Sequence, residues 1–421
     1  MKKSLLALAA LTAFAGAASA QSSVTLFGVV DVSARYTEYG NVDQYQLATD
    51  GNASSRLGFR GVEDLGGGLK AGFWIEGAMS ADTGTAQGQT WQRRSTVSLM
   101  GGFGEIRLGR DYTATFWNWT VFDPFGTNGV GASTNLGLEV AGLVPGGSYG
   151  TLVRANNIIG YFLPAMGGFY GQIQQSAGEN TNGNKYTGAR LGYAAGPFNV
   201  AGAWGTTEVT PNLDGDNWNI AGSFKTGFGM FSAFYGMIEV GSLEQTNWFL
   251  GYQLPIGAFT LKASWGEVER TGVPAGVLCP LNNAGVSGTC VAQGDADQLA
   301  LGFTYDLSKR TALYGTYSAI SQQRHPLPHA VDPERRLDLQ QPGPGRLGLR
   351  VRRPPLVLIP GWAGLRLALA RNHQAAFGRL FLLRGTTQVD IGAMDVDFGH
   401  EGCFLKWESI SVAEAIVNFV P

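Results

Sequence analysis

Strict alternation between apolar and polar residues is the feature that most constrains the fold of this chain. In "DQLALGFTYDL" (297–307), the side chains of Leu299, Leu301 and Phe303 share one face and those of Gln298 and Ala300 the other. The segments "FTLKASW" (259–265) and "SVTLFGVVDVSAR" (23–35) repeat the pattern. A period of two predicts β-strands with one apolar face and one mostly polar face.

The connections between these segments come in two alternating kinds. Short turns occur at 64–68, 101–104, 164–168, 195–197, 226–229, 255–258 and 306–311. Longer polar or glycine-rich stretches occur at 37–53, 79–90, 111–150, 177–185, 208–215, 239–244 and 269–295. Together they predict fifteen strands, the last near 312–319.

Such strands could form a β-sandwich or a membrane barrel. Short turns at one end, long loops at the other and aromatic residues near strand ends, such as Trp248, Trp265 and Tyr305, favour the barrel. A closed barrel also satisfies every backbone polar group within lipid. The predicted fold class is therefore all-β, a transmembrane antiparallel β-barrel, in which an even strand number requires one strand more than the fifteen recognised.

The N-terminus predicts export. Lys2 and Lys3 precede an apolar run and the sequence "ASA", so residues 1–20 are expected to be a cleavable signal peptide and 21–321 the barrel. No later segment has the roughly 18 uncharged apolar residues of a spanning helix. Residues 21–321 carry 16 Lys and Arg against 23 Asp and Glu, a balance that argues against nucleic-acid binding.

Cysteine spacing leaves two interpretations open. Cys279 and Cys290 flank "PLNNAGVSGT" and could form a disulfide that closes a surface loop, or they could remain two thiols. Without a nearby histidine they fall short of a zinc site, so no metal is expected.

Four ordered motifs resemble the general diffusion porins of Gram-negative bacteria, in particular the β-proteobacterial type. They are "SVTLFGVVDVS", "SSRLGFRGVEDLGGGLKAGFWIE", "GGFGEIRLGRDY" and "YDLSKRTALYGTYS". The resemblance implies a sixteen-stranded homotrimeric barrel in the outer membrane, whose third loop folds into a water-filled pore. It implies outer-membrane lipid, other copies of the chain, small ions and hydrophilic solutes as partners, and no cofactor. The alternative is a non-conducting barrel that acts as an adhesin or receptor through its surface loops.

The same resemblance assigns the pore constriction. It places Arg56 and Arg93 on the basic side, Glu76 on the wall and Asp123 on the third loop. Alternation independently turns Arg56, Arg60 and Glu76 towards the lumen, since the residues next to them are apolar. For the doublet 93–94, the family motif favours Arg93, whereas alternation with Val97 and Leu99 favours Arg94.

An enzymatic function is not expected. An outer-membrane acyl hydrolase would need an imidazole base near its serine. All four histidines, His325, His329, His373 and His400, lie beyond the barrel region. The glycines of "GFRGVEDLGGGLK" also lack the spacing of a phosphate-binding loop.

Residues 322–421 differ from the rest of the chain. They contain eleven arginines and one lysine, and they include Pro354 and Pro355. One of the many synonymous back-translations of 349–359, read in another frame, gives Gly-Tyr-Glu-Phe-Gly-Val-Arg-His-Ser-Phe followed by a stop, which resembles the family's closing strand. The tail is therefore interpreted as out-of-frame from about Gln322, without the native closing strand, with a separate extra domain as the alternative. We expect the chain as written to be defective in assembly.

Overall fold

The computed structural model describes residues 23–39, 42–86, 90–138, 149–272, 294–323 and 407–419. Seventeen strands in these ranges form one antiparallel sheet. Their bounds are β1 Ser23–Tyr39, β2 Val42–Thr49, β3 Arg56–Gly66, β4 Leu69–Ala78, β5 Arg94–Gly101, β6 Gly104–Tyr112, β7 Arg154–Phe162, β8 Phe169–Ser176, β9 Tyr186–Ala195, β10 Phe198–Thr210, β11 Leu213–Thr226, β12 Gly229–Val240, β13 Leu243–Ile256, β14 Phe259–Thr271, β15 Gly294–Asp306, β16 Ala312–Gln323 and β17 Trp407–Phe419.

The second barrel strand is built from two pieces. The C-terminal part of β1, from Val32 to Tyr39, pairs with β2, and its N-terminal part, from Ser23 to Val29, pairs with β3. Both pieces lie along the same edge of β1, so β2 and β3 together occupy one position in the sheet. With β2 and β3 counted as one, β1 to β16 are the fifteen strands that alternation predicted.

The seven short turns are confirmed, since each of them joins two neighbouring strands of the sheet. In the turn between β9 and β10, Gly196 has a φ of 56°, which a residue with a Cβ adopts only at a cost. Two of the predicted long stretches are shorter in the structure. The strands extend into 208–215 and 239–244 and leave only two-residue connections there.

The strand that closes the sheet comes from an unexpected part of the chain. β17 pairs with β1 from Gly28–Phe419 to Tyr39–Trp407 and with β16 from Tyr314–Ala413 to Ile320–Trp407. Residues 407–419 thus supply a closing strand, while the expectation that residues 322–421 lack the native closing strand stays a prediction. Residues 349–359, where the out-of-frame strand was read, lie outside the described residues, and the frameshift itself stays a hypothesis.

The barrel has its apolar face outside and its polar face inside. Large apolar side chains are exposed on the outer face, among them Leu57, Val97, Ile159, Ile220 and Leu250. Polar side chains are buried on the inner face, among them Thr96, Gln172, Asn219, Asn247 and Gln298. The reverse distribution would be expected of a water-soluble sandwich, so the pattern supports a barrel surrounded by lipid.

The third long loop packs against the inside of the wall. It contains two helices, α1 (Ala114–Phe122) and α2 (Thr134–Gly137). Phe116, Trp119 and Phe122 of α1 form a buried apolar cluster with side chains of β10 to β13, including Phe234 and Phe249. The ring centre of Trp119 lies 4.3 Å from that of Phe234. Within the described ranges, no helix combines the length and apolar character needed to cross a membrane.

Candidate functional site

Glu76 of β4 lies between two arginines on the inner wall. Its Oε1 accepts a hydrogen bond from Nε of Arg93 at 2.6 Å and lies 3.7 Å from Nε of Arg56. The indole N–H of Trp74 donates to its other oxygen at 3.1 Å. The structure therefore brings together three of the residues that the sequence assigned to the constriction.

Arg154 is a further member of this cluster that the sequence analysis missed. Its Nε donates to the backbone oxygen of Arg93 at 2.8 Å, and its Nη2 donates to the Tyr112 hydroxyl at 3.0 Å. The guanidinium carbon also lies 4.4 Å from the Tyr112 ring centre. Arg154 is the first residue of β7, directly after the third loop, where no alternating pattern precedes it to indicate a face.

The doublet 93–94 contributes both of its arginines. Arg94 is the first residue of β5 and lies opposite Glu76, on the face opposite to that of the exposed Val97. Arg93 precedes the strand, so the alternation of β5 does not restrict it, and its side chain reaches Glu76. The prediction that Arg93 faces the lumen and the prediction that Arg94 does so therefore do not exclude each other.

Arg60 follows Arg56 by four residues on β3, and among the described residues it is held by aromatic rings rather than by a carboxylate. Its guanidinium carbon lies 5.1 Å from the ring centre of Trp74 and 5.5 Å from that of Phe27. Such cation–π contacts fix the position of a guanidinium and leave its charge uncompensated.

Asp123 does not join the arginine cluster. Its carboxylate accepts hydrogen bonds from the backbone N–H of Phe125 at 2.8 Å and from the N–H and hydroxyl of Ser133 at 2.8 and 2.6 Å. Burial raises the pKa of this carboxyl, while these hydrogen bonds act in the opposite direction. Both oxygens of Asp123 therefore bind groups of the third loop itself and help to fix its shape, and the placement of Asp123 at the constriction stays a prediction.

The β3–β7 wall carries an excess of positive charge. Arg107 bonds to Glu105 at 2.8 Å and to Asp111 at 2.6 Å, and Arg94 lies 3.5 Å from Asp111. Together with the cluster around Glu76, the contacts described above involve six arginines and three carboxylates. The arginines are Arg56, Arg60, Arg93, Arg94, Arg107 and Arg154, and the carboxylates are Glu76, Glu105 and Asp111.

Two further predictions concern cysteines and metals. Cys279 and Cys290 lie outside the described residues, so their pairing stays a prediction. In the part of the chain that the structure describes, no group of three or more His, Cys, Asp or Glu side chains is arranged to hold a metal ion.

Known proteins resemble this chain along most of its length. Outer membrane porin protein 32 of Delftia acidovorans is 37% identical over 341 residues, which cover 77% of this chain and 90% of that protein. An outer membrane porin protein of Bordetella pertussis is 27% identical over 382 residues, which cover 76% of this chain and 94% of that protein. The barrel is similar to the solved anion-selective porin from Comamonas acidovorans, with a TM-score of 0.67, 26% identity and coverage of 95% of this chain and 100% of that one.

A more distant structure supports the fold alone. The trimer form of OmpT from Vibrio cholerae has a TM-score of 0.54 at 12% identity and covers 94% of this chain and 99% of that one.

The family model described as Gram-negative porin matches residues 7–325. With its polar-lined barrel, inward third loop and close relatives among outer membrane porins, the chain belongs to the Gram-negative porin family.

Proposed function

We propose that the barrel is a passive diffusion pore for small hydrophilic solutes that favours anions over cations. The observation that carries this proposal is the cluster of Arg56, Arg93 and Arg154 around the single carboxylate of Glu76. Guanidinium groups stay charged at every physiological pH. A fixed positive charge at a narrow, water-filled site raises the local concentration of anions and lowers that of cations.

The related porin from Comamonas acidovorans is named as anion-selective, and its 26% identity to this chain supports the same preference here. The acidic balance of residues 21–321 acts in the opposite direction only where its charges face the permeating ions. Several of these carboxylates lie on the outer face or rim, for example the partly exposed Glu208, which pairs with Lys185 at 2.7 Å. The inner arginines therefore dominate the selectivity.

The test is the reversal potential of the purified protein in a planar lipid bilayer under a tenfold KCl gradient. We expect a reversal potential with the sign of the chloride equilibrium potential. Its size should fall at high salt because salt screens the fixed charges. A potential set by potassium would contradict the anion preference. A barrel that inserts but carries no current would instead favour the adhesin or receptor alternative.

We also propose that copies of the barrel assemble into a homotrimer. Strands β10 to β16 have 12 to 14 residues, and aromatic pairs on their outer face, such as Phe198 with Phe224 and Trp248 with Trp265, suit contact with lipid headgroups. Strands β4 to β9 have only 8 to 10 residues. The shorter sector suits contact with other copies, and chemical cross-linking in detergent tests this by the number of subunits joined.

The chain is an outer-membrane channel by family, and we propose that its N-terminal segment of 20 residues is removed during export. The mass of the protein extracted from outer membranes measures this directly. A mature N-terminus at Gln21 is expected, and retention of the segment in the membrane-extracted protein would contradict the proposal.

A further inference from the structure

Six residues between β2 and β3, from Asp50 to Ser55, interrupt the second barrel strand. At Asp50 the backbone has a φ of 66°, which turns the chain out of the strand direction. The segment does not run on as a loop beyond the wall, because it contacts the third loop and strand β14 inside the barrel. We refer to residues 50–55 as the inward bend.

One end of the inward bend is anchored on β1. The fully buried carboxylate of Asp31 accepts hydrogen bonds from the backbone N–H groups of Asn52 at 2.8 Å and Ala53 at 2.7 Å, and also from the Tyr314 hydroxyl. The Ser55 hydroxyl donates to the backbone oxygen of Asp31 at 3.0 Å and accepts from its N–H at 2.9 Å. Charge-assisted bonds to backbone N–H groups are among the stronger hydrogen bonds in proteins.

The other side of the inward bend touches the tip of the third loop. The Ser54 hydroxyl donates to Oδ1 of Asn128 at 2.6 Å. Next to it, Gly129 has a φ of 67°, and a Cβ at this position would collide with the carbonyl of Gly51. Only a glycine allows the two backbones to approach this closely.

Ser54 also contacts the arginine cluster. Its backbone oxygen accepts a hydrogen bond from Nη1 of Arg56 at 3.0 Å. A single residue therefore connects a constriction arginine with the loop tip. The neighbouring Asn52 is tied to the wall on another strand, because its Oδ1 accepts from Nζ of Lys262 at 3.1 Å.

We infer that the inward bend is a second constriction element, and that Ser54 and Asn128 are positioning residues that hold the third loop at a fixed distance from Arg56. The width of the pore then depends on the contact between the inward bend and the third loop, instead of on the third loop alone. This inference rests on the proposed pore function, which gives the positioning its consequence. It assigns to residues 50–55 a role that the motif comparison and the alternation pattern did not suggest.

The first experiment traps the contact. The three native cysteines are first replaced by serine, and the pair Ser54→Cys and Asn128→Cys is then introduced and oxidised. Disulfide formation is measured as a loss of thiol labelling. We expect the pair to oxidise readily, because the two side chains are already in contact. The control pair, Ser54→Cys with Ser242→Cys, should stay reduced, since Ser242 bonds to Gly272 in another loop.

The second experiment removes the contact without adding a bond. In the double variant Ser54→Ala with Asn128→Ala, the fraction of time that single channels spend at altered conductance levels should rise about fivefold, the change that loss of one hydrogen bond of about 1 kcal/mol produces. Ser242→Ala removes a hydroxyl bonded to Gly272 at 3.0 Å and should leave the current traces unchanged.

The two proposals fail in different ways. A parent protein that inserts without conducting would overturn the pore function. A conducting parent whose cysteine pair stays reduced, or whose alanine variant shows the same conductance levels as the parent, would overturn the positioning role of Ser54 and Asn128 while leaving the pore function intact.

Discussion

Neutralising Glu76 should strengthen the anion preference by an amount that the cluster geometry allows us to estimate. Oε1 of Glu76 lies 2.6 Å from Nε of Arg93 and 3.7 Å from Nε of Arg56. Among the described residues, the variant Glu76→Gln removes the carboxylate that pairs with these two arginines. Glutamine keeps an oxygen that can accept from the Trp74 indole, so the substitution changes charge more than shape.

An ion that passes about 4 Å from the former carboxylate would experience a change of about 1 kcal/mol at the dielectric constant of water. At 0.1 M salt, where the screening length is about 10 Å, about 0.7 kcal/mol remains, which corresponds to about a threefold change in the local anion concentration. At 1 M salt the screening length falls to about 3 Å and the change falls below about twofold.

The assay is the reversal potential of Glu76→Gln in planar bilayers at these two salt concentrations. The matched control is Glu208→Gln, which removes the same charge at a partly exposed position away from the cluster, where it pairs with Lys185. We expect a shift towards anions for Glu76→Gln that shrinks at high salt, and no comparable shift for the control. Equal shifts in the two variants, or a shift of Glu76→Gln towards cations, would refute the reasoning that the Glu76 cluster sets selectivity.

Four further outcomes are expected. Arg154→Gln should shift the reversal potential towards cations, because it removes an arginine of the cluster. Asp123→Ala should lower the temperature at which heating in detergent unfolds the barrel, since each buried N–H left without an acceptor costs about 1–3 kcal/mol; equal temperatures would show that the loop does not depend on this carboxylate. Deletion of 407–421 should abolish the compact, heat-sensitive form on gels, because it removes β17. If Cys279 and Cys290 pair, non-reducing gels should show faster migration, and retained reactivity of both thiols would exclude the disulfide.

The sequence predicted the wall of the barrel because one local rule governs it. Each transmembrane strand must turn apolar residues to lipid and polar residues to the lumen, so alternation reports the face of every residue within a strand. This rule places Arg56 and Glu76 on the same inner surface. It does not measure distance, and the 2.6 Å contact of Glu76 with Arg93 became visible only in the structure.

The alternation rule did not reach residues at strand ends and in loops. Arg154 begins β7 directly after the third loop, and the pairing of β6 with β7 shifts between Gly109 and Asp111. Alternation counted from the middle of β7 therefore does not give the direction of the Arg154 side chain. Asp123 lies apart from the arginine cluster for a different reason. The family motif located its carboxylate in the third loop, but the hydrogen bonds of Ser133 turn it away from the lumen.

Closure of the barrel is the feature that local sequence determines least. A closing strand must pair with both β1 and β16. Almost any residue except proline can form the backbone hydrogen bonds that this pairing needs, because proline has no backbone N–H. Residues around Pro354 and Pro355 fail this requirement, whereas residues 407–419 contain no proline and pair along eleven positions of β1. An open seam would leave two rows of unpaired backbone groups in lipid, at several kcal/mol for each group. That cost favours closure by whichever proline-free segment can reach the gap, so the out-of-frame hypothesis for the tail and the closed sheet are compatible.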